Sequence, residues 1–331
     1  MTTPSQIQWG RYSTFEGPYY PGSLPYKLPP NPDFLDKCLA VVTATEGGKY
    51  DAINMYDRCI VSVGVIQCCE SAPVFAVSSL LGRCMELSPK DLEFAFKEVL
   101  PLNARLKKNQ QGAWRFFVDD REVTHQDQQR QLWFGKSSRG TQGSWDAAGK
   151  AYAKCTAAML SDIWLYPAFR VVQDAFNKSR LMNFIWPTTK LVLFSDSNTD
   201  GWVGALKAAF ISFAANLPSI ADKAFKLATA NPAWDTATAP ERFGIALQAL
   251  VFSPGITIYP GRYNKIAPVL RTLFGVDVPL TSEELKVWEA PKVEFSKMEL
   301  DMLQRYLTLS TNVEQGSGMG LAALDNLKDR E

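Results

Sequence analysis

The chain has 331 residues, a net charge of +1, 46% hydrophobic residues and 21% charged residues. These fractions are close to globular averages and exclude a disordered or collagen-like chain. A near-neutral charge disfavours a general nucleic-acid binder, which usually carries a basic excess, so we expect no nucleic-acid partner. The length is enough for one large domain or two of ordinary size.

The sequence offers no signal for membrane insertion or secretion. No run of 18 apolar residues occurs, and the best candidate, residues 202–213, is interrupted by Lys207, so we expect no membrane span. The first 17 residues lack a basic segment followed by an apolar one, so we expect no conventional signal peptide.

Cysteine and histidine usage narrows the chemistry. The six cysteines include no Cys-x-x-Cys pair, and we expect buried or partly buried thiols in a reducing compartment, with no metal site. The single histidine, His125, lies in a polar stretch, and no Gly-x-Ser-x-Gly elbow is present. Zinc peptidases and Ser-His-Asp hydrolases are therefore disfavoured. Any catalytic acid and base are expected to be carboxyl groups, with no cofactor.

In chain order, the first predicted element is an arm over residues 1–33. Its seven prolines and six aromatic residues predict an extended segment without regular structure, lying on the domain. From Asp33, apolar residues at helical spacing predict a helix that closes at Glu46 and ends at Gly47-Gly48. Residues 57–67, rich in β-branched side chains, predict a short strand or hairpin.

Most of the remaining chain has helical patterning. Ser88 followed by Pro89 predicts a helix start, and that helix is expected to run to about Leu100. Ser144 is expected to cap a helix through Leu160. Further helices are predicted over 166–178, 202–215, 218–230, 240–251, 282–290 and 296–309. Residues 109–143 favour either a second β-hairpin or a surface loop. The fold class is therefore mainly α (α+β), in three parts: the arm 1–33, a helical domain 34–252, and a helical extension 253–331.

The stretch from Thr43 to Gln67 is the one that indicates chemistry. Glu46 closes a helix whose matching face is apolar, so its carboxyl is expected to be partly desolvated and protonated, as a general acid must be. Asp57 lies eleven residues later beside Arg58, in polar surroundings where we expect it to stay ionised. Two carboxyl groups in different protonation states are the machinery of glycosidic bond cleavage.

These residues resemble the lysozyme-like superfamily. Phage-type lysozymes share the order of a helix-end Glu, a Tyr-Asp pair and a hydroxyl-x-Gly strand, matched here by Glu46, Tyr56-Asp57 and Ser62-x-Gly64. Goose-type lysozymes and soluble lytic transglycosylases share a Ser followed by Gly-x-x-Gln, matched by Ser62 and Gly64 to Gln67. The resemblance covers about 25 residues and implies a lysozyme-like helical domain whose small β-hairpin bears the second carboxylate.

The resemblance also implies residue roles. Glu46 would be the general acid, Asp57 the base, and Ser62 would help to position the attacking water. Further substrate-binding positions would be Tyr50, Asp51, Tyr56, Gly64 and Gln67. Asp51 competes with Asp57 as the second carboxylate. Two departures stand out: Gly47 follows the Glu where transglycosylases have Ser, and Cys68 follows the strand where phage-type enzymes often have His.

We therefore expect a glycan-cleaving enzyme for β-1,4-linked amino-sugar polymers, with peptidoglycan favoured over chitin or chitosan. Its carboxyl groups should lie roughly 6.5–9.5 Å apart, as in inverting enzymes. Two alternatives stay open: a lytic transglycosylase that uses Glu46 alone, and a non-catalytic structural or cargo protein of a phage or injection apparatus. Without a signal peptide, the protein would be made in the cytoplasm and reach the cell wall by phage lysis, virion delivery or injection.

Overall fold

The computed structural model describes residues 1–57, 59–70, 76–97, 99–101, 103–135, 145–188, 199–215, 218–252 and 259–289. The chain divides into two compact units, Met1–Leu181 and Met182–Glu331. The described part is mostly helical with small antiparallel sheets, which confirms the mainly α or α+β class. The division falls at Leu181, whereas the sequence predicted boundaries after residues 33 and 252.

The first unit is built around a five-stranded antiparallel sheet in the order β1-β2-β3-β4-β5. Its strands are β1 (Gln8–Tyr12), β2 (Phe15–Tyr20), β3 (Ile53–Asn54), β4 (Ser62–Val63) and β5 (Cys68–Cys69). The prediction of an N-terminal arm without regular structure was therefore wrong, because β1 and β2 form a hairpin that joins β3. Pro18 pairs with Trp9 of β1. On its other side it lies beyond the two residues that pair with β3, so no ladder donor is lost there, and its carbonyl accepts a bond from Met55 N at 3.0 Å.

Helices and a second sheet complete this unit. They are α1 (Phe34–Glu46), α2 (Val77–Leu87), α3 (Pro89–Lys97), β6 (Ala104–Lys108), β7 (Trp114–Val118), β8 (Arg121–Glu122), α4 (Gln126–Phe134), α5 (Ala147–Asp162), a 3-10 turn (Ile163–Leu165) and the part of α6 (Pro167–Thr188) that ends at Leu181. Strands β6, β7 and β8 form a three-stranded antiparallel sheet, so β-structure, one of the two alternatives for residues 109–143, is present in the first part of that range, whereas α4 occupies a later part. Helix α1 has the predicted start and end, with a capping box between Asp33 and Asp36 and a left-handed Gly47.

Two helices of this unit were not predicted, and one begins later than expected. Helix α2 follows Ala76, which supplies no side-chain cap, and α4 is mostly polar, so neither gives a clear start signal. Helix α5 is capped by Asp146, which accepts a bond from Gly149 N at 2.7 Å. Ser144, the predicted cap, lies outside the described residues.

The five-stranded sheet has two different faces. Ile53, Val63 and Cys68 lie side by side on one face and are almost completely buried. Strands β2 and β3 contact helix α5, and on β1 the Trp9 ring packs edge-on against Trp145. This apolar face belongs to the core of the unit, as expected for a sheet covered on one side.

The second unit is a set of helices around α7 (Gly201–Ala214), which is buried along nearly its whole length. The others are α8 (Pro218–Thr229), α9 (Ala239–Val251), α10 (Tyr259–Phe274) and α11 (Ser282–Lys286). Helices α7, α8 and α9 match the prediction. Helix α10 was missed because Pro260, Gly261 and Pro268 lie within it. The helix predicted over 296–309 falls outside the described residues.

Two general expectations can be compared with this structure. None of the six cysteines forms a disulfide, and burial raises the pKa of the Cys68 and Cys84 thiols to about 12. Within the described part of the chain, no helix has both the length and the apolar character needed to cross a bilayer.

The tightest glycine in the sheet gives a test of this architecture. A Cβ on Gly17 would lie 2.2 Å from the Met55 carbonyl oxygen, so Gly17→Ala must displace backbone. We expect it to lower the free energy of unfolding by about 1–3 kcal/mol. Gly261→Ala is the matched control, since its Cβ meets nothing within 4 Å and alanine favours helix α10, so stability should rise slightly. Urea unfolding of both variants measures the difference, and an equal effect would contradict the β2–β3 packing.

Candidate functional site

Glu46 is the last residue of α1 and is half-buried. The chain then reverses through Gly47 and Gly48, both in the left-handed region with φ of 93° and 59°. The Gly48 carbonyl accepts a bond from Tyr26 N at 2.7 Å, which ties this reversal to the N-terminal segment. The predicted general acid thus lies at a helix end, as the sequence indicated.

Asp57 lies in an internally bonded turn between β3 and β4. Asn54 organises this turn: its Oδ1 accepts from Tyr56 N at 3.1 Å, and its Nδ2 donates to Asp57 Oδ2 at 3.0 Å. The second Asp57 oxygen accepts from Cys59 N at 2.7 Å. Burial raises the pKa of Asp57, although the Cys59 hydrogen bond acts in the opposite direction. The direction is opposite to the one expected for an ionised carboxylate in polar surroundings. Arg58, the next residue in the sequence, lies outside the described residues.

The register of β3 with β4 brings Asp57 and Ser62 to one side of the sheet. Asn54 pairs directly with Ser62, and side chains that are directly opposite share a face. The same row continues through every strand, as Gln8, Tyr19, Asn54, Ser62 and Cys69. Ser62 is 3% exposed, whereas Gln8 is fully on the surface. We call these five residues the polar row.

Tyr56 lies over the same face. Its ring lies where a side chain on Gly10 would be, since a Cβ there would be 2.6 Å from Tyr56 Cδ1. It meets the Tyr19 ring edge-on at 5.5 Å, and Tyr19 in turn donates a hydrogen bond to Gln8 Oε1. The structure therefore places Tyr56, Asp57 and Ser62 on or beside the polar row, together with Gln8 and Tyr19, which the sequence did not single out.

Asp51 has a different environment from the one expected of a second catalytic carboxylate. It is 1% exposed. Its oxygens accept bonds from Ser23 N, Ser23 Oγ and Leu24 N at 2.8–2.9 Å. A carboxylate sealed by three donors leaves no open side for a water or a sugar. The structure gives Asp51 the task of anchoring the N-terminal segment.

Tyr50 is held by helix α6. Its hydroxyl donates to Asp174 Oδ2 at 2.8 Å, and its carbonyl accepts from Gln173 Nε2 at 3.2 Å. Burial raises the pKa of Asp174 to about 6, and the negative charge of Asp36 adds to that rise. The sequence analysis did not single out Asp174, because no local pattern in α6 indicates a carboxyl with a raised pKa.

Gly64 and Gln67 form the turn between β4 and β5. Gln67 has a φ of 53°, and its Nε2 donates to the Gly64 carbonyl at 3.1 Å. Arg180 Nη1 donates to the carbonyls of Ile66 and Gln67, both at 3.2 Å. Substrate contacts at these two positions stay a prediction. In the structure, the Gln67 side-chain amide closes the turn by donating to the Gly64 carbonyl.

Glu70 is a second carboxyl that the sequence analysis missed. It is almost completely buried, and burial raises its pKa to about 7. Its Oε2 accepts a bond from Ser78 N at 2.8 Å, in the first turn of α2. Because the Ala76 side chain cannot cap that helix, Glu70 does so from the position just after β5, which is a structural role.

Comparison with known proteins adds no relative to this description. The chain matches no family model, no curated protein and no solved structure. Among the described residues, no group of three or more histidine, cysteine or acidic side chains is arranged to hold a metal ion. The function must therefore be inferred from the residues themselves.

The environment of Asp51 predicts the outcome of Asp51→Asn. An amide would point N–H donors at the N–H donors that now bind the carboxylate, so the free energy of unfolding should fall by about 2–4 kcal/mol. Chemical denaturation measures this change. Specific activity of the folded fraction should be retained, and a stable but inactive Asp51→Asn would instead support Asp51 as the second carboxylate.

The raised pKa of Asp174 predicts a pH-dependent stability difference. Between the ordinary pKa of an aspartate and about pH 6, the Asp174 carboxyl is ionised in the unfolded chain but protonated in the folded one. The wild type therefore loses stability as the pH rises through this window. Asp174→Asn lacks that loss and should gain about 1–2 kcal/mol relative to wild type between pH 4 and pH 6. Unfolding curves at several pH values measure it.

Asp120→Asn provides the control for this titration. Its pairing with Lys107 lowers the pKa of Asp120, so the wild-type pair contributes stability that is lost as the pH falls. The difference between Asp120→Asn and wild type should therefore run in the opposite direction. The same direction in both variants would contradict the assigned environment of Asp174.

Proposed function

We propose that this protein cleaves β-1,4 glycosidic bonds in amino-sugar polymers, with peptidoglycan as the favoured substrate, in the manner of a lysozyme-like muramidase. The observation that carries the proposal is the β3–β4 register. It pairs Ser62 with Asn54, whose amide holds Asp57, on a face lined by hydrogen-bonding side chains. A helix-end Glu46 followed by this hairpin is the arrangement that the family resemblance implies.

In this mechanism Glu46 protonates the glycosidic oxygen of the leaving sugar. Asp57 removes a proton from water on the opposite side of the sugar ring, and Ser62 holds that water through its hydroxyl. Because burial raises the pKa of Asp57, the base is available only above that raised value. A separation of roughly 6.5–9.5 Å between the carboxyl groups, with inversion of the anomeric carbon, remains a prediction of this account.

The accessible part of the polar row, Gln8, Tyr19 and Asn54, supplies a surface suited to a sugar chain, and the buried Ser62 lies next to it in the same row. Five strands at about 4.8 Å spacing give a row about 19 Å long, running across the strands. Hydroxyl, amide and phenol groups offer the donors and acceptors that sugar hydroxyls need. The exposed Gln8 at one end and the half-buried Tyr19 extend this surface onto the N-terminal hairpin.

A lytic transglycosylase is the second candidate. Both Asp57 oxygens already accept hydrogen bonds within their turn, and burial favours the protonated form. Such a carboxyl suits an enzyme in which Glu46 acts alone and the substrate's own hydroxyl replaces water. Either enzyme would act at the cell wall after phage lysis, virion delivery or injection.

The decisive variants are Glu46→Gln and Asp57→Asn, assayed on purified peptidoglycan with mass spectrometry of the released fragments. Loss of a general acid and of a base should each lower turnover by at least about 100-fold. Reducing-end products would identify a muramidase. Anhydro-sugar products, with Asp57→Asn still active, would identify a transglycosylase.

Asp91→Asn is the matched acidic control, because Asp91 lies in the first turn of α3, away from the polar row, and accepts hydrogen bonds from the hydroxyls of Ser88 and Tyr166. It should keep wild-type turnover. Cleavage that survives in Glu46→Gln would contradict the assignment of the general acid. A wild type that releases nothing from peptidoglycan, chitin or chitosan would favour the non-catalytic structural or cargo protein.

A further inference from the structure

The two parts of the candidate site lie on different segments, and one side chain of α6 joins them. Gln173 is fully buried. Its Oε1 accepts from Val65 N at 3.0 Å, and its Nε2 donates to the Tyr50 carbonyl at 3.2 Å. Tyr50 follows Glu46 by four residues, and Val65 follows Ser62 by three. The Gln173 amide therefore links the segment that follows Glu46 to the turn that follows Ser62.

Gly64 packs closely against the Gln173 side chain. Its φ is 84°, and a Cβ there would lie 2.4 Å from Gln173 Oε1. Glycine is therefore required both for the backbone conformation and for the close approach of the glutamine. The Gly-x-x-Gln pattern noted in the sequence thus begins with a residue that faces α6.

Helix α6 braces the same region at two more points. Asp174, the next residue, accepts the Tyr50 hydroxyl bond at 2.8 Å. Arg180, two helical turns after Gln173, binds the carbonyls of Ile66 and Gln67. Strands β3, β4 and β5 are only two residues long, so their own ladder bonds supply little rigidity. The brace supplies what the short strands lack.

We propose that Gln173 is a positioning residue for glycan cleavage, which holds the Glu46 segment and the Asp57–Ser62 hairpin at a fixed separation. This inference rests on the proposed function. Gln173 does not touch substrate and acts through Tyr50 and Val65. Its amide is needed because it both donates and accepts, and a carboxylate or a thioether of similar size lacks the donor.

The test compares Gln173→Met, which loses both bonds, with Gln173→Glu, studied at a pH where its buried carboxyl is ionised and can accept from Val65 N but cannot donate to Tyr50. Val171→Ala, at a largely exposed position of the same helix, is the control. Two readouts are measured on the full chain: hydrogen exchange of the Val65 amide by NMR, and kcat and KM on soluble glycan strands.

Gln173→Met should speed hydrogen exchange of the Val65 amide at least tenfold. It should also lower kcat by about 10- to 100-fold with little change in KM, because a misplaced catalytic group slows the chemical step more than it weakens binding. Gln173→Glu should keep the amide protected and still lose kcat, which a merely destabilised fold would not produce. Unchanged exchange in Gln173→Met, or full kcat in both variants, would overturn the proposal. An inactive wild type would contradict the proposed function instead, and exchange at Val65 would then decide the brace on its own.

Discussion

The antiparallel pairing of β3 with β4 is the constraint on which the rest of the site depends. Each strand has two residues, yet their register decides which side chains share a face. A slip by one residue that paired Ser62 with Ile53 would bring its hydroxyl to the apolar face and place Val61 opposite Asn54. The register is therefore fixed by burial of Ile53 and Val63 as much as by the ladder bonds.

Buried polar side chains hold the loops around that pairing. Asp51 anchors the N-terminal segment, Asn54 closes the Asp57 turn, and Gln173 bridges Tyr50 to Val65. Each such group is stabilising only because its donors and acceptors are matched, since an unmatched buried polar group is costly. This explains why several residues expected to bind substrate, Tyr50 and Asp51 above all, bond within the protein.

Local features were predictable from the sequence. Asp33 with Asp36, and Gly47 after Glu46, mark both ends of α1, because capping depends on neighbours within a few residues. The N-terminal hairpin was missed because the prolines of residues 1–33 argue against strands, whereas Pro18 is tolerated in β2 because it lies beyond the residues that pair with β3. Gln173 and Asp174 were missed for another reason: their partners are more than 100 residues away, and no local pattern signals such a contact.

In the proposed function, the polar row is the face that binds the glycan. This can be tested by NMR titration of the Glu46→Gln protein with a soluble tetramer of alternating N-acetylglucosamine and N-acetylmuramic acid. We expect the largest amide shifts at Gln8, Tyr19, Asn54 and Ser62, and smaller shifts on the opposite face at Ile53 and Cys68. Saturable binding with its shifts confined to other surfaces would contradict it.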